Sequence, residues 1–331
     1  MGLLYSDAEL EDVVDFDHIL SRRPWGTLTQ AETYKIKKTN KHVGQYKLFL
    51  SDLLAIAMAQ PYMPDKVRDI VVIVAGASPG QHWTYLIPLL LKSNIGGRIR
   101  FELYDNAELC DDMKTFIKGE ARVVFHKQLF TNETAKDIAK KFAGDYVVFL
   151  SDIRSSIHER KTHDAIDEEM IKENMLSQQE DVVIMSPVYS CLKFHAPHRT
   201  RGHDMVYPAF AYLDGILCLQ GYTYDLSAEF RLHVTQADIW SARGKRKELK
   251  WYDPLKIEEC AFFHNTMRRP STHTDKRFED TVWRVSAAVL GINPIEASTS
   301  RRKTAIYLHM LQREHQDAGL RMLLSSILET Q

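Results

Sequence analysis

The chain has 331 residues, and its 43 Lys and Arg nearly balance 44 Asp and Glu, which excludes overall attraction to nucleic acid and requires any such surface to be local. A hydrophobic content of 44% excludes disorder, and no apolar run approaches the ~20 residues that cross a bilayer, so no membrane is expected as a partner. Four cysteines without a C-x-x-C pair make no disulfide framework and signal neither a structural zinc site nor a thiol nucleophile, so a reducing, cytoplasmic setting is expected.

The first 30 residues are acidic and then irregular, and residues 35–41 hold four lysines. Over residues 45–59 the side chains Leu48, Leu50, Leu53, Leu54, Ile56 and Ala57 recur at helical spacing, with Lys47 in the first turn. Residues 69–75, DIVVIVA, are a β-branched run suited to a strand buried on both faces. The small-residue turn GASPG follows at 76–80, then a helix over 82–91 and strands over 98–104 and 121–125. A helix over 135–142 leads to a fourth strand over 146–150, which ends at Ser151-Asp152. A helix over 164–178 and a fifth strand over 181–185 continue the alternation, with Lys193 several residues beyond that strand. Strands over 209–220 and 230–235, with no helix between them, predict an antiparallel edge. Residues 241–250, SARGKRKELK, form a basic loop, and helices are predicted over 258–268, 277–290 and 304–328. Strands alternating with helices predict an α/β fold: one mostly parallel sheet with helices on both faces and an antiparallel edge. A single domain is expected, with an N-terminal extension over 1–44, a catalytic core over 45–269 and a C-terminal helical addition over 270–331.

Ligands of open α/β sheets sit beyond the carboxyl ends of the strands, and several polar residues are predicted to gather there. GASPG lets backbone amides approach a ligand, although it also reads as a plain strand-to-helix turn. Asp105, ending the second strand in FELYDN, suits hydrogen bonding to both hydroxyls of a ribose, although it also reads as a turn former. Lys47, Asp152, Lys193 and Glu229 are each bland alone: a solvated helix lysine, a helix cap, a snorkelling lysine and a strand-edge charge. Taken together they suit proton abstraction. A lysine beside a second cation and shielded from water has its ammonium destabilised, and such a lysine can take a proton from a hydroxyl while carboxylates hold the pair. Arg243, Lys245, Arg246, Lys247 and Lys250, flanked by Trp240 and Trp251, suit single-stranded RNA, where bases stack and phosphates pair with cations. Arg199, Arg201, Arg268 and Arg269 could extend that patch. A solvated loop is the alternative.

Six segments in order, GQYKLFLSDLL, VAGASPGQHWTYL, LYDN, FLSDIRSS, SPVYSCLKF and LSAEFRL, carry a resemblance. From about Trp25 to about Arg269 the chain resembles the poxvirus cap-specific mRNA 2′-O-methyltransferases, which also serve as the small, stimulatory subunit of the viral poly(A) polymerase. The resemblance implies a viral protein with a Rossmann-like methyltransferase fold, S-adenosylmethionine as cofactor, and capped mRNA and a poly(A) polymerase catalytic subunit as partners. The family's catalytic Lys-Asp-Lys-Glu set falls on Lys47, Asp152, Lys193 and Glu229. It implies Lys193 as general base, Lys47 as its electrostatic tuner, the carboxylates as positioning groups and no metal. Cofactor contacts would come from Gln45, Gly76, Ser78, Pro79, Gly80, His82, Asp105 and Asp152, while Ala107 replaces a family arginine. The cap slot maps to Trp25, His198 and Glu258, with Thr200 where the family has an acid. Two other readings stay open: a non-enzymatic RNA-gripping processivity subunit, and a ribosomal or transfer RNA 2′-O-methyltransferase.

Overall fold

The computed structural model describes residues 43–153, 168–201, 204–269 and 274–292. Trp25 and the helix predicted over 304–328 lie outside the described residues. The described chain opens with helix α1 (Gly44–Ala59) and then alternates: β1 (Ile70–Ala75), α2 (Trp83–Leu91), β2 (Ile99–Asp105), α3 (Asp111–Gly119), β3 (Val123–Lys127), α4 (Asn132–Lys141), β4 (Tyr146–Ser151), α5 (Glu168–Met185) and β5 (Tyr189–Phe194). Short strands β6 (Arg199–Arg201), β7 (Asp204–Val206), β8 (Phe210–Tyr212) and β9 (Ile216–Cys218) follow, then β10 (Phe230–Thr235), α6 (Gln236–Ile239), β11 (Lys250–Tyr252), α7 (Pro254–Phe263) and α8 (Thr274–Leu290).

The main sheet has the order β3-β2-β1-β4-β5-β10-β9. Pairings from β3 to β5 are parallel, and β10 runs antiparallel to both β5 and β9. The fold is therefore the Rossmann-like α/β fold of methyltransferases, with the predicted antiparallel edge. Strand order reverses between β1 and β4, which opens a crevice at their carboxyl ends.

All six residues of β1 are buried because helices cover both faces. Ile70, Val72 and Val74 join one core with α1, α2 and α8, and Val71, Ile73 and Ala75 join a second with α4, α5 and α7. Burying each Ile or Val contributes about 1.5–3 kcal/mol, so the β-branched run fixes the central strand. Helix starts are set locally: Thr131 caps α4 through Thr134 N, and Asp253 caps α7 ahead of Pro254 through the amides of Leu255 and Lys256.

Two predicted elements are corrected and one helix was missed. Residues 181–185 are the last turn of α5, not a strand, and the fifth strand is β5, which carries Lys193 within it. Helix α5 buries Ile171, Asn174, Met175, Gln178, Asp181, Val182 and Met185, a helical spacing whose polar members hide it from an apolar-periodicity reading. Residues 209–220 hold two strands in different sheets, β8 paired with β11 and β9 paired with β10. Helix α3, preceded by a cysteine with little apolar content in its nine residues, was not foreseen.

The buried face of α5 has a consequence for stability. Asp181 is fully buried, and neither of its oxygens has a hydrogen-bond partner among the described residues. Burial, with a smaller push from Glu180, raises its carboxyl to about 7. A carboxyl raised on folding favours the protonated folded state, so this contribution is present below the ordinary Asp value near 4 and is lost as pH rises through about 7. Asp181→Asn is expected to flatten that slope and to stabilise the chain by roughly a few kcal/mol at pH 8, where the buried carboxyl would otherwise carry its charge. Thermal melts of both proteins at pH 5 and pH 8 measure the difference; parallel curves would refute it.

Candidate active site

Four elements deliver the four ionisable residues to the carboxyl edge of the parallel strands. Lys47 lies in the first turn of α1, Asp152 directly follows β4, Lys193 is the penultimate residue of β5, and Glu229 directly precedes β10. Because β10 is antiparallel to β5, the start of β10 meets the end of β5, with Arg231 opposite Lys193 in register. Residues far apart in sequence are thereby placed at ion-pair distance.

Glu229 joins the two lysines. Its Oε1 accepts from Lys47 Nζ at 2.9 Å, and its Oε2 lies 3.2 Å from Lys193 Nζ. Lys193 Nζ is also 3.1 Å from Asp152 Oδ1. The side chains of Lys47, Lys193 and Glu229 are 12–15% exposed and that of Asp152 is 26% exposed, so Asp152 is the most open member. Burial raises both carboxyls, but the cations outweigh it. Lys193 and Arg231 bring Asp152 down to about 2, and Lys47, Lys193 and Arg231 hold Glu229 well below the usual carboxylate range.

Arg231 is the member that the sequence reading missed. Its guanidinium is buried, donates from Nη2 to Asp152 Oδ1 at 2.6 Å, and lies 3.6 Å from Glu229 Oε1. Nη1 donates to the Ser151 carbonyl at 3.2 Å and Nε to Gln220 Oε1 at 3.2 Å. Gln220 in turn donates to Glu229 Oε1 at 3.2 Å and accepts from Ser51 Oγ at 3.3 Å. A usable signal was present: an arginine two residues after Glu229 in an apolar strand shares its face. The same guanidinium, after burial, lowers the neighbouring His233 to about 3, so that imidazole is neutral.

The glycine turn lies beside this cluster. Gly76 has φ +84°, and a Cβ there would stand 2.9 Å from the Asp152 carbonyl carbon, so only glycine permits the close approach of the β1 and β4 exits. Gly80 also has a positive φ, +72°. Asp105 binds its surroundings with both oxygens: Oδ2 accepts from Ser78 N and Oδ1 from Ala107 N, each at 2.8 Å. Pro79 is exposed at the tip of the turn. Gln45 Oε1 accepts from His82 N at 3.2 Å and lies 2.9 Å from His82 Nδ1, while His82 Nε2 is 3.1 Å from Asp52 Oδ2. Gln45 and His82 thus tie α1 to the turn. All eight residues expected to hold the cofactor occur along this one edge.

The expected cap residues are less gathered. His198 lies beyond β5 with its Nδ1 3.4 Å from Glu168 Oε2, and its ring is tilted 37° to that of Tyr207 at 5.8 Å. Burial first, then the Glu258 carboxylate, raises the Tyr207 hydroxyl, which links Glu258 on α7 to this neighbourhood. Tyr207 was another residue that the sequence reading did not single out. Burial raises the Glu168 carboxyl, and His195 and His198 more than reverse this, so it sits below its ordinary value. Trp251 on β11 is 70% exposed.

The basic loop is placed elsewhere. Arg243, Lys245, Arg246 and Lys247 are exposed, but β10 carries the chain away from Glu229 over six residues, about 20 Å of strand. The loop is anchored at the opposite edge, where Trp240 Nε1 donates to Ser186 Oγ at 2.9 Å just before β5. Arg269 is no part of a basic surface: its guanidinium is buried and pairs with Asp275 at 2.8 Å.

A family model described as Poly A polymerase regulatory subunit matches residues 26–284. No curated protein matches the chain. Because the family match runs through every element that builds this edge, from α1 into α8, the chain belongs to the poly(A) polymerase regulatory subunit family.

Proposed function

We propose that the chain is a cap-specific mRNA 2′-O-methyltransferase, acting on the first transcribed nucleotide, that also serves as a stimulatory subunit of a poly(A) polymerase. The observation that carries the enzymatic reading is the convergence of Lys47, Asp152, Lys193 and Glu229 on one carboxyl edge beside the Gly76 turn. A purely structural role asks for no such buried set of two lysines and two carboxylates, which is costly to desolvate.

The residues fit S-adenosylmethionine as cofactor. The exits of β1 and β4 approach so closely that a Cβ at Gly76 would collide with them, and the partly open Asp152 carboxylate offers an anionic partner for a methionine amine. Gly76, Ser78, Pro79 and Gly80 supply backbone approach, Asp105 a ribose acceptor, and Gln45 and His82 the wall that holds the turn. When bound, S-adenosylmethionine supplies an electrophilic sulfonium methyl.

Lys193 Nζ is the base that takes the proton of the ribose 2′-hydroxyl. Asp152, Glu229, Lys47, Lys193 and Arg231 sum to one excess positive charge, so release of one lysine proton leaves the cluster neutral. Arg231 makes this count hold, since its guanidinium keeps its charge. Lys47, joined to Lys193 through Glu229, directs the hydroxyl towards the base. Alignment of hydroxyl and methyl group provides much of the rate.

Removing the base should lower methyl transfer by at least about 10²-fold. Lys193→Ala is therefore expected to fold and bind cofactor by calorimetry yet transfer almost no labelled methyl; wild-type turnover would sink the assignment. Substrate class is read by offering capped, uncapped and ribosomal RNA with labelled S-adenosylmethionine. Label in capped RNA alone is expected, and label in ribosomal RNA would move the protein to the alternative class. The family match favours the polymerase role. Lys193→Ala should still lengthen the tails made by a poly(A) polymerase catalytic subunit, and loss of that stimulation together with methyl transfer would argue against separate sites.

A further inference from the structure

Beyond β5 the chain reads His195-Ala-Pro-His198, and the first residue of α5, Glu168, faces both imidazoles. Glu168 Oε2 lies 3.5 Å from His195 Nε2 and 3.4 Å from His198 Nδ1. Glu168 Oε2 also accepts from the His198 backbone amide at 3.3 Å, and both imidazole contacts are longer than the about 2.7–2.9 Å of a charge-assisted hydrogen bond. They match a different geometry. With bonds of about 2.0–2.1 Å, tetrahedral zinc holds its ligand atoms about 3.3–3.4 Å apart. One potential ligand atom from each residue lies within 4.8 Å of the others, so the third edge needs only a small ring rotation. His195 Nε2 is closed off from solvent and makes no normal hydrogen bond among the described residues, with Glu168 Oε2 3.5 Å away, which leaves this nitrogen available to a metal.

We propose that Glu168, His195 and His198 form a binding site for a divalent transition-metal ion of the zinc class. Two imidazole nitrogens and one carboxylate oxygen favour such an ion over magnesium or calcium, which take oxygen ligands. Three protein ligands leave one coordination position for water. The ion ties the start of α5 to the segment just beyond β5, two residues after Lys193, and so clamps the exit of that strand. The ion has no part in proton transfer, and the site does not rest on the methyltransferase reading. It also takes His198 out of the set free to stack on a cap base while the metal is bound.

The test uses the full chain, stripped with a chelator and titrated with Zn²⁺ alone by calorimetry, with thermal melts alongside and Co²⁺ as a spectroscopic replacement. One ion per chain, a rise in melting temperature and the visible absorption of a four- or five-coordinate Co²⁺ site with nitrogen and oxygen ligands are expected. Glu168→Gln and His198→Asn should each weaken binding at least about tenfold, whereas the distant His126→Asn should not. Should Glu168→Gln fail to fold by circular dichroism, His198→Asn carries the comparison. Zn²⁺ binding in the wild type no stronger than in the double variant His195→Asn/His198→Asn, or the absence of a Co²⁺ band, overturns the proposal. Neither readout involves RNA or methyl transfer, so the result is independent of whether the chain methylates.

Discussion

Glu229 holds two lysines on the two oxygens of one carboxylate, and the rest of the site is organised around keeping that buried arrangement charged. A carboxylate this enclosed costs several kcal/mol to desolvate unless it is fully paired. The pairing comes from Lys47, Lys193, Arg231 and Gln220, which belong to α1, β5, β10 and the turn before it. Loss of one partner would leave an uncompensated charge rather than a mere gap. The cluster therefore depends on the correct order of the strands as much as any apolar core does.

Strand order provides it. Only an antiparallel β10 beside β5 brings Glu229 and Arg231 to the end of the sheet where β1 and β4 deliver the glycine turn and Asp152. A parallel strand at that place would carry the same residues to the far end. The antiparallel edge is thus the feature that separates this site from a generic nucleotide-binding crevice.

Legibility in the sequence followed local chemistry. The central strand was readable because six β-branched or small residues in a row suit burial on both faces, and the α/β class followed from the alternation. The last turn of α5 was misread because Asn174, Gln178 and Asp181 occupy its buried face, leaving DVVIM to look like a strand. The four ionisable residues were visible as a set, whereas Arg231 was passed over: its spacing from Glu229 put it on the same strand face, but its place opposite Lys193 appears only once the strands pair. The basic loop follows Glu229 closely in sequence yet lies at the other edge, because a strand converts closeness in sequence into separation in space.

That separation has a mechanical side. Trp240 and Ser186 pin the loop to the edge where the parallel strands begin, while the ionic cluster occupies the edge where they end. A macromolecule held by Arg243–Lys247 and a small molecule held beside Asp152 would approach from opposite poles of one rigid sheet, with no steric competition between them. Such a layout means that a change in the basic loop leaves the ionic cluster untouched, and the reverse.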